Sequence, residues 1–141
     1  MLLTQSHGYI ILSILAQIGY GLYLRGFEDD AREKYDVPFP DMGSGRFAIK
    51  LSDEDWKRFN CIIRTANQNI VLNMVSSVIS GVFRPKASLV LTLLGLYGRH
   101  QFNIDCMSED PERRMRWIPL TSTCTVVQLV IALFGVYKLF V

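Results

Sequence analysis

Charged residues divide this chain into apolar blocks that are long enough to cross a membrane. Residues 1–24, 65–83, 87–98 and 117–137 contain no Asp, Glu, Lys or Arg. A spanning helix needs about 17–25 mainly apolar residues, and the first, second and fourth blocks supply them directly. The third block suffices if its helix continues to about Ile104, with its charged ends reaching the membrane surface. The pattern predicts an all-α integral membrane protein, a four-helix bundle in one domain over residues 1–141.

Turn and cap signals predict where the helices begin and end. The charged run at 28–35 could extend the first helix into water, until Pro38 and Pro40 end it. Ser52 stands three residues before Asp55, which is an imperfect capping box for the second helix. The first block lacks a basic leading region and a small-residue cleavage site, so we expect a mature helix and not a signal peptide. The four predicted helices span about residues 8–26, 53–83, 85–104 and 113–139.

Basic residues are distributed unevenly among the predicted loops. Residues 25–58 hold seven Lys or Arg and residues 99–116 hold four, whereas the opposite side holds Arg84, Lys86 and Lys138. By the positive-inside rule both long loops face the cytoplasm or matrix, and both termini lie together on the outer or lumenal side. The net charge of +2 with no basic tract gives no support for a nucleic-acid partner.

The three cysteines, Cys61, Cys106 and Cys124, are odd in number and form no C-x-x-C pair. Cys61 and Cys106 fall at the predicted inside ends of helices, where thiols are kept reduced. We therefore expect no disulfide framework. The two histidines lie far apart, which argues against a zinc site.

Polar side chains of the second helix form two sectors at about 100° per residue. One sector is a stripe of amides and hydroxyls: Asn69, Asn73, Ser76, Ser77 and Ser80. The other consists of Arg64, Asn67 and Gln68. We interpret the stripe as interhelical hydrogen bonding, and the sector around Arg64 as a candidate anion site near the membrane interface.

Four segments of the chain resemble a known family. Residues 31–42 are similar to a segment A-R-K-K-Y-x-V-x-Y-P-x-M, and residues 59–62 with Arg64 and a following amide pair resemble F-N-C-I-x-R-A-H-Q-N. Residues 81–85 resemble a G-V-x-x-P turn, and residues 98–116 a segment G-R-x-x-Y…P-x-K-R-x-R. These segments are similar to those of the membrane-associated proteins in eicosanoid and glutathione metabolism, the MAPEG family. The resemblance implies a trimer of four-helix subunits with glutathione bound between neighbours near the inside face.

The resemblance also implies roles for individual residues. Arg64 matches the arginine that would bind a glutathione carboxylate. Arg116 matches the catalytic arginine that would stabilise the thiolate, with Arg114 as the alternative alignment. The other matched positions of the glutathione pocket are Arg32, Gln68, Asn69, Phe102 and Cys106.

Several of these positions depart from the family pattern. The glutamate that would bind the glutathione amino group falls on Val71, or on Leu72 in an alignment shifted by one residue. Two tyrosines fall on Phe102 and Cys106, and one basic position is Glu33. Losing one partner of a buried charged hydrogen bond costs about 2–5 kcal/mol. The departures therefore predict a degraded glutathione site with no bound cofactor.

The sequence as a whole predicts a MAPEG-fold protein that serves as a non-catalytic scaffold or accessory subunit of a membrane assembly, such as a mitochondrial respiratory complex. The alternative is an active microsomal glutathione transferase or lipid-hydroperoxide peroxidase, with glutathione as cofactor and Arg116 activating its thiol. A third hypothesis is a lipid-binding helper without turnover. Expected partners are membrane lipids and other membrane subunits, or further copies of the chain in a homotrimer. The expected location is the endoplasmic reticulum or the mitochondrial inner membrane.

Overall fold

The computed structural model describes residues 5–67, 70–108 and 111–141, and these ranges are predominantly helical with no strand. Two short 3-10 helices, at Ala48–Lys50 and Pro111–Trp117, accompany the α-helices. The prediction of an all-α protein is therefore confirmed. The α-helices are α1 (Gln5–Tyr35), α2 (Asp53–Asn67), α3 (Ile70–Phe83), α4 (Pro85–Met107) and α5 (Ile118–Phe140).

Two segments of the described chain have the length and composition to cross a membrane. They are α1 and Arg113–Phe140, which contains α5. The apolar part of α3, Val71–Phe83, is shorter. Many large apolar side chains stay exposed on these helices, Leu22 and Leu133 among them, as is usual for a surface that meets other apolar groups. The structure thus gives weak support to membrane association, and a bundle of four spans stays a prediction.

The first helix continues nine residues beyond the predicted end at residue 26. It stops at Tyr35 because Asp36 adopts a left-handed conformation, with φ of 51°. The backbone N–H of Val37 then donates to the carbonyl of Arg32 at 3.0 Å, and the N–H of Asp36 donates to that of Glu33 at 3.4 Å. This pair of bonds is a Schellman motif, which satisfies carbonyls at the helix end.

The predicted helix over residues 53–83 corresponds to α2 and α3. At its start the hydroxyl of Ser52 accepts the backbone N–H of Asp55 at 3.2 Å and donates to the Asp55 carboxylate at 2.7 Å. The predicted capping signal is therefore confirmed. The start of α2 at Asp53 and the end of α3 at Phe83 agree with the prediction. Residues 68 and 69, between the two helices, lie outside the described ranges.

The last predicted helix, over about residues 113–139, corresponds to the helical segment Arg113–Phe140, but the first part of this segment is a 3-10 helix. Residues Pro111–Trp117 form a 3-10 helix, and α5 begins at Ile118. Pro119 explains the difference, because proline lacks an N–H and is accommodated without loss only in the first turn of an α-helix.

The main cluster of buried apolar side chains lies at one end of the molecule, where α1, α2 and the loop between them meet. Phe59 and Ile63 of α2 are almost completely buried there. They pack with residues from α1 and from the loop, so this end is a compact unit outside the apolar parts of the helices. The buried members are Ala31, Val37, Ala48, Phe59, Ile62 and Ile63.

The carboxylate of Asp41 organises the loop at residues 36–52. One oxygen accepts the backbone N–H of Gly43 at 3.0 Å and of Gly45 at 2.8 Å. The other accepts those of Phe47 and Ala48, both at 3.0 Å. Gly43 has φ of 93°, where side chains are strained, and a Cβ at Gly45 would collide with the Asp41 carboxylate. The loop therefore requires both glycines and the acid.

Hydrogen bonds between buried polar side chains link the apolar helices. Gln17 of α1 donates to the Ser77 hydroxyl of α3 at 2.7 Å. Gln128 of α5 accepts from Ser76 of α3 at 3.2 Å and donates to Thr92 of α4 at 3.0 Å. The prediction that the stripe on the second helix bonds neighbouring helices is confirmed for its serines and for Asn73, which accepts the hydroxyl of Thr125 of α5 at 3.0 Å. Asn69 lies outside the described ranges.

Candidate functional site

Arg32, a predicted glutathione contact, is enclosed by its own loop and is 9% exposed. Its guanidinium donates to the carboxylate of Glu28 at 2.7 Å and to the backbone carbonyl of Asp41 at 2.7 Å. It also lies 5.9 Å from the ring centre of Phe59 and 5.6 Å from that of Phe39. The structure therefore gives Arg32 a role in holding the loop against α1.

Arg64, the predicted carboxylate-binding residue, lies near the end of α2 with an exposed side chain. The positions at which the family has its glutamate are Val71 and Leu72 in α3, which are 76% and 51% exposed. Two predicted pocket residues, Gln68 and Asn69, lie outside the described ranges. On this side of the predicted pocket, the described residues are therefore one exposed arginine and two exposed apolar side chains.

Cys106, another predicted pocket residue, forms a disulfide with Cys61, which joins α4 to α2. The expectation that the chain has no disulfide is wrong in this structure. The two Cα atoms lie 6.1 Å apart, within the range that a disulfide spans. Spacing along the chain could not reveal the pair, because 45 residues separate the two cysteines and only helix packing brings them together.

Arg116, the predicted thiolate-stabilising residue, is paired with Asp105 at the end of α4. Its guanidinium lies 3.2 Å from a carboxylate oxygen of Asp105. The same oxygen accepts the indole N–H of Trp117 at 2.9 Å, and Arg116 stacks over that indole at 5.2 Å. The Arg116 side chain remains 58% exposed, whereas Asp105 is buried.

Asp105 is a residue of the candidate site that the sequence alone did not reveal. A buried carboxylate next to a candidate catalytic arginine lowers the positive potential that a thiolate needs. The sequence does set this residue apart, because no acidic residue lies between Asp55 and Asp105. Its partners at 116 and 117 could be found only after the 3-10 helix had brought the start of α5 back to the end of α4.

The predicted site residues thus have different partners in the structure. Arg32 belongs to the loop of Asp41, Cys106 to the crosslink with α2, and Arg116 to the pair with Asp105. Phe102 lies on α4 at the edge of a cavity among the helices. Among the residues that the structure describes, no group of three or more His, Cys, Asp or Glu is placed to hold a metal ion.

No protein-family model matches this chain. The fold itself defines the class as an all-helical protein with two candidate membrane-spanning helices.

Proposed function

We propose that this protein is a MAPEG-fold membrane protein that no longer uses glutathione and acts as a non-catalytic scaffold or accessory subunit of a membrane assembly. The proposal includes four spanning helices with both termini on one side. It places the chain in the endoplasmic reticulum or the mitochondrial inner membrane, where a respiratory complex is a candidate assembly.

The engagement of Arg32 is the observation that carries this proposal. A glutathione-binding arginine must present two parallel N–H donors to a carboxylate. The donors of Arg32 are directed at Glu28 and at the carbonyls of Val37 and Asp41, and the side chain is enclosed. Releasing it would leave those buried acceptors unpaired, at a cost of about 1–3 kcal/mol for each group.

Two further observations support the loss of catalysis. The ion pair with Asp105 partly neutralises Arg116, which the resemblance assigns to thiolate stabilisation. The family's acid is replaced by Val71 or Leu72, so nothing at that position pairs with an ammonium group. The carboxylate of Asp105 would compete with glutathione for Arg116. The carboxylate that would bind the glutathione amino group is missing.

An active glutathione transferase or peroxidase is the second candidate, and the exposure of two arginines favours it. Arg64 is exposed and Arg116 is more than half exposed, so both guanidinium groups can reach a ligand outside the subunit. Under this candidate Arg116 leaves Asp105 when the thiol binds, and a neighbouring copy in a trimer completes the pocket.

Glutathione titration of the purified protein distinguishes the two candidates. The protein is prepared in mild detergent, and the ultraviolet absorbance of the thiolate is followed as glutathione is added. Conjugation of chlorodinitrobenzene is followed in parallel. For a scaffold we expect no saturable thiolate signal, and the same background rate of conjugation with and without protein.

Arg116→Ala and Arg113→Ala form a matched pair for this experiment. Saturable binding with turnover that disappears in Arg116→Ala, and not in Arg113→Ala, would establish the enzyme and refute the scaffold. For the scaffold, tagged protein from gently solubilised membranes should carry other membrane subunits in constant ratio. Recovery as an isolated homotrimer would contradict that expectation.

A further inference from the structure

A cavity of about 570 Å³ lies among α3, α4 and α5 and reaches Gln17 of α1. Pockets that hold small molecules usually measure about 300–1,000 Å³. Its lining includes Leu72, Val126 and Leu129, which are also exposed on the outer surface of the helices. The cavity is therefore large enough for a ligand and opens on the apolar surface that would face the membrane.

The side chain of Gln17 presents an unused acceptor to this cavity. The residue is only 5% exposed, and its amide nitrogen donates to the carbonyl of Ser13 at 3.2 Å and to the hydroxyl of Ser77 at 2.7 Å. Among the residues that the structure describes, every fully enclosed side-chain oxygen has a hydrogen-bond partner. The amide oxygen of Gln17 accepts no hydrogen bond from those residues, so it must be accessible from the cavity that Gln17 lines.

The side chain of Asn73 presents unused donors to the same cavity. Its amide oxygen accepts the hydroxyl of Thr125 at 3.0 Å, and both residues line the space. Its amide NH₂ group donates to no residue of the described ranges. Asn73 precedes Ser77, the partner of Gln17, by four residues, which is about 6 Å along α3. The donors of Asn73 and the acceptor of Gln17 are therefore close enough for one small polar head group.

Gln128 shows that an amide can be satisfied within this bundle. Its oxygen accepts the hydroxyl of Ser76, and its nitrogen donates to the carbonyl of Ser88 and to the hydroxyl of Thr92. An amide group without a partner is unfavourable in an apolar setting, where little water is present to bond it. The open groups of Gln17 and Asn73 therefore indicate a bound molecule that supplies both a donor and an acceptor.

We infer that this cavity binds one uncharged single-chain lipid whose head group carries hydroxyl groups, as in a monoacylglycerol. A hydroxyl of the head group donates to the oxygen of Gln17, and an oxygen of the head group accepts from the NH₂ of Asn73. The acyl chain lies along the apolar wall and extends toward the membrane. The inference rests on the membrane setting of the proposed function and does not depend on the loss of glutathione.

An anionic head group fits these two amides less well. A carboxylate only accepts hydrogen bonds, so it would place its oxygens against the oxygen of Gln17. Arg99 also lines the cavity, but it already has an interaction within the protein, and the inference requires no contact from it.

Electron spin resonance with three spin-labelled lipids tests this inference. Each probe has the same doxyl-labelled stearoyl chain, as the glycerol monoester, as the methyl ester or as the free acid, which is ionised in mildly alkaline buffer. The glycerol ester donates and accepts hydrogen bonds, whereas the methyl ester and the carboxylate only accept them. In phosphatidylcholine vesicles that contain the protein, we expect a motionally restricted glycerol ester that saturates at one per chain. Its restricted fraction should exceed those of the other two probes.

Spin-labelled phosphatidylcholine in the same vesicles reports the ordinary lipid layer around the helices. A restricted phosphatidylcholine component, together with equal restricted fractions for the three probes, would overturn the inference and leave the membrane setting intact. The absence of any restricted component would overturn both. A larger restricted fraction for the carboxylate than for the glycerol ester would refute the uncharged head group.

Gln17→Leu locates the polar contact, because it removes the acceptor that only the glycerol ester uses. It should weaken binding of the glycerol ester about tenfold, as expected for one hydrogen bond between neutral groups, and leave binding of the methyl ester unchanged. Gln101→Leu makes the same substitution in α4 outside the cavity and should change neither. A folded Gln17→Leu that still prefers the glycerol ester, or an equal loss in Gln101→Leu, would refute the assignment.

Ser122→Phe decides the matter if Gln17→Leu does not fold, because it fills the cavity from α5 and keeps both amides. Thr123→Phe adds the same ring at the neighbouring exposed position, which does not line the cavity. Loss of the restricted glycerol ester in Ser122→Phe and not in Thr123→Phe supports the site. Full retention in Ser122→Phe, or an equal loss in both variants, overturns it.

Discussion

Replacing Asp41 by asparagine should destabilise the compact end formed by α1, α2 and their loop. Asp41→Asn preserves shape but replaces one carboxylate oxygen with an amide NH₂. The remaining oxygen can still accept two backbone N–H groups, whereas the NH₂ faces the other two, donor against donor. At present all four distances are between 2.8 and 3.0 Å.

The size of the effect follows from these bonds. A hydrogen bond to a charged group contributes about 1.5–3 kcal/mol. Two such bonds are lost, and the loop can relax toward water at the exposed Phe47, so we expect a net loss of about 3 kcal/mol. For a chain of this length that corresponds to a decrease in Tm of roughly 10 °C.

Thermal unfolding in detergent, followed by tryptophan fluorescence, measures this loss. The indole N–H of Trp56 donates to the carbonyl of Gly43 at 2.8 Å, so its emission reports on the loop directly. Asp30→Asn is the matched control, because it removes the same charge from an exposed position of α1. A Tm for Asp41→Asn within a degree or two of that control would refute the reasoning.

The pH dependence provides an independent check on the same carboxylate. Burial tends to raise the pKa of Asp41, but the N–H groups of Ala48, Gly45, Gly43 and Phe47 outweigh it and hold the pKa below its ordinary value of 3.8. A lowered folded-state pKa means that the stabilisation is fully present above about pH 4 and is lost as the pH falls through the folded-state value. Wild-type Tm should therefore drop in that acid range, and Asp41→Asn should show a smaller drop.

The remaining predictions concern the arginine of the loop, the polar contacts between helices, and the cysteines. Arg32→Lys cannot reproduce the fork and should lower the Tm by roughly 7 °C, corresponding to about 2 kcal/mol. Gln128→Leu removes three interhelical hydrogen bonds and should destabilise the bundle by about 2 kcal/mol, measured by unfolding in mixed micelles. Maleimide added to denatured, unreduced protein should label Cys124 alone, and labelling after reduction should also include Cys61 and Cys106.

The first two of these predictions have matched controls. Arg25→Lys changes an exposed arginine of α1 and should leave the Tm unchanged. Val127→Leu alters an exposed apolar side chain next to Gln128 and should leave stability unchanged. Equal effects in control and test variants would contradict the first two predictions, and three labelled cysteines before reduction would contradict the third.

Local signals were sufficient to predict the helices, since a helix depends on residues within a few positions of each other. The start of α2 followed from Ser52 and Asp55, and the start of α4 from Pro85. The 3-10 helix before α5 was not predicted, although Pro119 is a local signal for the first turn of an α-helix. The end of α1 depends on a left-handed aspartate, a conformation that the residue type alone does not require.

The candidate site was harder to predict, because its chemistry depends on contacts between distant segments. The sequence identified the arginines at 32, 64 and 116. It does not show whether an arginine side chain is exposed to a ligand or enclosed by the protein. Closure of the loop around Asp41 enclosed Arg32, and the 3-10 helix Pro111–Trp117 placed Arg116 beside Asp105 of α4.

The order of apolar and charged residues was enough to predict that this protein is helical and has helices long and apolar enough to cross a membrane, because helical hydrogen bonding and the apolar character of a segment are local properties. Tertiary packing decided which polar groups remain available. It joined Cys61 to Cys106 across 45 residues and formed a cavity beside Gln17 from three helices. Such partners are selected by the geometry of helix packing, which acts between residues that are far apart in the chain.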